Sequence, residues 1–157
     1  MDASGENASF SGADGALSEA ENQLLMTWTA LESGERTLFL PAGFTRAAET
    51  LAARYKAQAR FADTERSRWM DALAREYPAQ FLLNHDGLYF ALRALSALAA
   101  AGLSLSKWRE GMPHVHRVSR EVEMSPGERS RVLRAFSEAE QNAELGGGIR
   151  LRRDRGW

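Results

Sequence analysis

The chain contains no cysteine, no apolar run long enough to span a bilayer, and no marked excess of either charge. The absence of cysteine excludes disulfides, thiolate metal sites and cysteine nucleophiles. A formal net charge of −1 gives no electrostatic reason to bind nucleic acid or an anionic membrane. The first residues also lack the basic-then-apolar pattern of a signal peptide. We therefore expect a cytoplasmic protein with no nucleic-acid or membrane partner.

Common catalytic signatures are missing as well. The sequence has no GxxxxGK[ST] phosphate loop, no GxGxxG after a strand and no GxSxG nucleophile elbow. The stretch 119–121, Ser-Arg-Glu, lies on a predicted strand without a base or acid partner that would activate the serine. We assign no catalytic residue from the sequence, and the substrate-binding residues stay unknown.

What the sequence does contain is an alternation of helix and strand patterns, which favours an α/β fold. We expect a layered α/β/α domain with a small mixed sheet over residues 1–110, followed by a partial α+β unit over residues 113–157. The predicted helices cover about 18–33, 45–56, 65–76, 86–101 and 125–141. The predicted strands cover about 36–41, 57–62, 115–124 and 149–157, with "ELGGG" as a flexible turn before the last.

Local signals mark several helix ends. "SEAE" at 18–21 and "SPGE" at 125–128 fit the capping box, in which each side chain satisfies a backbone donor of the first turn. Asp86 is a natural N-cap for the most apolar helix, and Gly102 follows its last residue. Only Arg93 and Ser96 interrupt that helix, so we expect burial on most of its sides. We expect Pro78 to end the helix before it.

Aromatic and aliphatic residues at helical spacing predict the core. These are Trp28, Trp69 and Phe136, with Val132 and Leu133 beside Phe136 facing inward.

Histidines and arginines give weaker signals. His114 and His116 point to the same side of a predicted strand, but no third ligand is visible, so we favour a surface or domain contact over a metal site. His85 has a structural interpretation beside the Asp86 cap. The cluster Arg150, Arg152, Arg153 and Arg155 is typical of a solvated strand face.

The acidic loop "DASGEN", residues 2–7, raises the main functional question. Asp2, Ser4 and Glu6 alternate beside a glycine, directly before a glycine-rich turn and an amphipathic helix. From the residues alone, this is either a metal site or a solvated loop.

Four segments carry a family resemblance. "HDGLYFALRALSALAAAGLSLSKW" at 85–108 resembles the DG-headed helix and following turn of the α-D-phosphohexomutases, the family of phosphoglucomutase and phosphomannomutase. "HRVSREVEMSPGERSRVLRAF" at 116–136 is similar to the opening of that family's C-terminal domain. "GIRLRRDRGW" at 148–157 resembles the strand before its phosphate-binding loop. The stretch from "DASGEN" to "QLL" resembles its metal-loop segment, DxDGDR, with the following hairpin and helix.

The resemblance implies a third mutase domain at 1–110 and the first half of a fourth at 113–157, so we expect a fragment. Family members move phosphate between the 1 and 6 positions of a hexose through a phosphoserine, with Mg²⁺ held by three loop aspartates. Here Asp2 keeps the first position, Ser4 and Glu6 replace the other two, and Asn7 replaces the arginine. Because Mg²⁺ requires charged oxygen ligands in octahedral geometry, we expect weak binding or none.

Two other family segments are altered. "PAQFLLN" at 78–84 leaves no room for the GExSG sugar-specificity loop, and "ADTERSRWM" at 62–70 replaces a TKVG-like stretch. Two hypotheses follow. The chain is part of a mutase that is inactive alone and takes hexose phosphate together with the other domains of its parent chain. Alternatively, it is a degenerate non-catalytic module with a structural or regulatory role beside a sugar-nucleotidyltransferase domain.

Overall fold

The computed structural model describes residues 8–41, 43–62, 66–115, 122–139, 143–145 and 149–151. It divides into two compact units, 1–117 and 118–157, which are described separately. The first unit contains β1 Ser11–Gly12, β2 Gly15–Ala16, α1 Glu19–Glu32, β3 Thr37–Leu40, α2 Ala47–Arg54, β4 Gln58–Phe61, α3 Arg66–Glu76, α4 Pro78–His85, α5 Gly87–Ala101 and α6 Leu105–Gly111. The second contains α7 Pro126–Ala139, β5 Ala143–Leu145 and β6 Ile149–Leu151.

The fold is α/β in the broad sense that the sequence predicts. β3 and β4 pair in parallel, with Thr37 opposite Gln58 and Leu40 opposite Phe61. A parallel pair requires a crossover connection, and α2 supplies it. β1 and β2 form an antiparallel hairpin, and β5 and β6 form another antiparallel pair. The described strands thus form three separate two-stranded ladders.

The core of the first unit lies around α1. Leu24, Leu25, Trp28 and Leu31 on this helix are at most 3% exposed. They belong to one cluster with residues of β3, α2, α5 and α6, among them Leu38, Leu51, Phe90 and Trp108. Trp69 and Leu73 of α3 form a smaller cluster with Ala62. The predicted core positions of Trp28 and Trp69 are confirmed.

The residues after Pro78 form a helix that the sequence pattern does not predict. Pro78 begins α4 instead of only ending α3, because proline has no N–H to lose at a first helical position and its fixed φ suits the helix. The N-cap residue, Tyr77, makes no side-chain cap hydrogen bond. The segment therefore carries no Ser, Thr, Asp or Asn signal that would mark a helix start.

The prediction that α5 is buried on most of its sides is wrong. Its packed face contacts α1 and α4, and Phe90, Ala94 and Leu98 are buried there. The opposite face leaves three leucines more than half exposed. Its ends are as predicted, since the Asp86 side chain accepts a hydrogen bond from Tyr89 N and Gly102 adopts a left-handed conformation with φ of 65°.

The second unit confirms one prediction and overturns two. Ser125 and Glu128 form the capping box before α7, with Ser125 N donating to Glu128 at 2.9 Å. The prediction that Val132, Leu133 and Phe136 face inward is wrong, because these side chains are 36–48% exposed. Glu144 and Leu145, predicted as part of a turn, lie in β5. Most of the predicted strand 115–124 falls outside the described residues, and 122–124 are not in a strand.

Within the described ranges, no single helix is long and apolar enough to cross a membrane. α5 and α6 reach the required length and composition only as a pair, across an 80° bend.

Candidate functional site

The predicted metal ligands, Asp2, Ser4 and Glu6, lie outside the described residues, as does Asn7. Their arrangement as a magnesium site stays a prediction. Among the residues that the structure describes, no group of three or more His, Asp or Glu side chains is placed to hold a metal ion.

The chain that leaves the acidic loop is fixed to two helices. The Ala8 carbonyl accepts a 2.7 Å hydrogen bond from Asn22 Nδ2 on α1. Phe10 is buried, and its ring meets Phe90 of α5 edge to face at 5.2 Å. Leu17 N then donates to the Phe10 carbonyl at 2.8 Å, which closes the hairpin base. The segment from Ala8 to Leu17 is therefore anchored on the core.

Arg109 of α6 holds the hairpin to α1. Its Nε and Nη2 atoms donate to the two carboxylate oxygens of Glu21 at 2.5 and 2.8 Å. The same guanidinium donates to the carbonyls of Asp14 and Ala16 at 3.3 and 3.4 Å. Glu21 also accepts from Ser18 N at 2.7 Å, which completes the predicted capping box. One arginine thus joins a hairpin, a helix cap and α6. We call this contact set the Arg109 clamp.

The Arg109 clamp shifts the pKa of the Glu21 carboxylate. The hydrogen bonds from Arg109 are the largest cause, and they lower the pKa of Glu21 from 4.5 to about 2. Burial opposes this shift by favouring the neutral form, whereas the hydrogen bonds from Ser18 support it. Glu21 therefore stays ionised at any pH near neutrality and keeps Arg109 in place.

A shallow cleft lies between the hairpin and α6. It has an empty volume of about 150 Å³ and is lined by Gly12, Asp14, Gly15, Leu17, Leu105, Ser106 and Arg109. This volume includes open solvent, so the space that the cleft encloses is smaller still, whereas binding pockets for small molecules usually measure about 300–1,000 Å³. A Cβ at Gly12 would meet Leu105 at 3.5 Å, so the hairpin packs closely on α6. The cleft is too small to enclose a hexose phosphate.

The segment 78–84, where the resemblance would place a sugar-specificity loop, has a structural role. Gln80 of α4 is only 3% exposed. Its Oε1 accepts from Phe39 N at 3.0 Å, and its Nε2 donates to the Thr37 carbonyl at 2.7 Å. Trp69 Nε1 donates to the Phe39 carbonyl on the same edge at 3.1 Å. The Gln80 amide therefore pairs with the free edge of β3 as a neighbouring strand would.

A second polar group links α1 to the end of α2. Trp28 Nε1 donates to the Tyr55 hydroxyl at 2.8 Å, and that hydroxyl donates to Glu32 at 2.6 Å. Burial is the main cause that raises the pKa of Tyr55, and the carboxylate of Glu32 adds to it. The phenol therefore stays protonated and acts as a connector between the helices.

Comparisons with family models, curated proteins and solved structures find no match for this chain. The resemblance to phosphohexomutases therefore remains a prediction that rests on the quoted segments. The contacts described above do not depend on it.

Of the remaining candidate residues, the structure describes some, and the others lie outside the described ranges. His85 ends α4 and its ring lies 4.8 Å from that of Phe81, in agreement with a structural role. His114 is exposed and is not in a strand. His116 and the arginines at 152, 153 and 155 lie outside the described residues, and Arg150 is described only as part of β6.

Sequence reasoning missed both Arg109 and Gln80 as organising residues. Arg109 contacts a residue 88 positions away, and Gln80 contacts residues 41 and 43 positions away. No local pattern encodes such pairs. The nearest signal in the sequence is a single glutamine in an otherwise apolar stretch of six residues, "PAQFLL".

Proposed function

We propose that this chain is a degenerate phosphohexomutase-like module of carbohydrate metabolism that does not turn over substrate by itself. Residues 1–110 would correspond to the layered α/β/α third domain of that family, and 113–157 to the first half of the fourth. The module would act in the cytoplasm by packing against other domains of its parent chain.

Two features support the assignment to this family. A hairpin and a capped helix follow the acidic loop, in the order of the family's metal-loop segment. Further along, Asp86 caps a helix that begins at Gly87 and ends at Gly102, as expected for the DG-headed helix. Both features lie within segments whose residues resemble the family's motifs, so the local structure and the sequence resemblance agree there.

The Arg109 clamp carries the non-catalytic part of the proposal. A phosphate-binding arginine must present free donors to its ligand. The Arg109 guanidinium instead binds the Glu21 carboxylate at two positions and two backbone carbonyls. The cleft beside it encloses less than about 150 Å³. Arg109 therefore stabilises the hairpin, and its donors are engaged there instead of facing a sugar phosphate.

The altered loop adds a chemical reason. Ser4 contributes a hydroxyl in place of a carboxylate, which removes one charge from the predicted magnesium shell. Glu6 keeps its charge, but its extra methylene moves the oxygen. Asp2 alone retains the family's residue. Any Mg²⁺ bound by these three residues would be held weakly.

Calorimetric titration of the chain with Mg²⁺ and Mn²⁺, with and without glucose 1-phosphate, tests the proposal. We expect no binding tighter than millimolar, for the natural chain and for Asp2→Ala alike. Asp14→Ala serves as the matched control, since it removes an acid of the hairpin turn instead of the loop. Micromolar Mg²⁺ binding that is lost only in Asp2→Ala would overturn the non-catalytic assignment.

A further inference from the structure

We draw no further inference here: the strongest candidate, the outer edge of β4, on which no further strand pairs among the described residues, carries no proposal because nothing in the structure shows what covers it.

Discussion

Arg109 of α6 and Glu21 of α1 form a bidentate ion pair between residues 88 positions apart, with nitrogen–oxygen distances of 2.5 and 2.8 Å. The same carboxylate caps the first turn of α1 through the backbone N–H of Ser18. One side chain therefore serves both a local and a long-range contact. Its ionisation couples the stability of the first unit to pH.

Glu21→Gln should make the first unit less stable at pH 7, by about 1 kcal/mol, because the pair is partly solvated. The folded-state pKa of Glu21 is about 2, below the ordinary value of 4.5. The contribution is therefore fully present above pH 4.5 and is lost as pH falls from 4.5 toward 2. Urea unfolding measures the stability difference between the natural chain and Glu21→Gln at pH 7, and its decrease at pH 2.5. Glu110→Gln, at an exposed site on α6, is the control. An equal difference between the natural chain and Glu21→Gln at both pH values would contradict the assignment.

Gln80→Met should destabilise the first unit by about 3 kcal/mol. The substitution keeps most of the side-chain volume but leaves Phe39 N and the Thr37 carbonyl without their partner, and each unpaired buried group costs about 1–3 kcal/mol. Chemical denaturation measures the loss. Gln58→Met, at an exposed position of β4, should change the free energy of unfolding by less than about 0.5 kcal/mol. Equal effects of the two substitutions would show that Gln80 does not complete the strand edge.

Asp86→Ala should lower the free energy of unfolding by about 1 kcal/mol, since it removes the acceptor for Tyr89 N at the start of α5. Asp86→Asn keeps an acceptor oxygen at this position and should recover most of the loss. Thermal unfolding followed by circular dichroism compares the three chains. If Asn were as destabilising as Ala, the negative charge at the helix terminus would matter more than the hydrogen bond.

Features that depend on neighbouring residues could be predicted from the sequence. The Ser18 capping box, the Asp86 cap and the ending of α5 at Gly102 all occur as expected, because each is decided within one helical turn. The strand-like runs at 36–41 and 57–62, with a helix between them, also occur as predicted, as β3 and β4. These signals are local, and local chemistry is what a sequence displays directly.

Features that depend on distant packing could not be predicted. α4 has no side-chain cap, so Pro78 indicates only a helix stop in the sequence although it begins a helix in the structure. High apolar content predicts burial for α5 and for Phe136 of α7, but hydropathy does not reveal how many neighbours a helix has. The Arg109 clamp likewise joins two segments that no local pattern connects. For the acidic loop, only the residue types are known, and they remain the basis of the metal-site prediction.

We propose that the loop holding Asp2, Ser4 and Glu6 derives from a mutase metal loop whose ligands were replaced. Restoring those ligands is the decisive experiment. Ser4→Asp, Glu6→Asp and Asn7→Arg together produce the family pattern, and calorimetry then measures Mg²⁺ binding. The triple variant should bind Mg²⁺ at least tenfold more tightly than the natural chain, and adding Asp2→Ala should remove the gain. A triple variant that binds no better than the natural chain would contradict the claim.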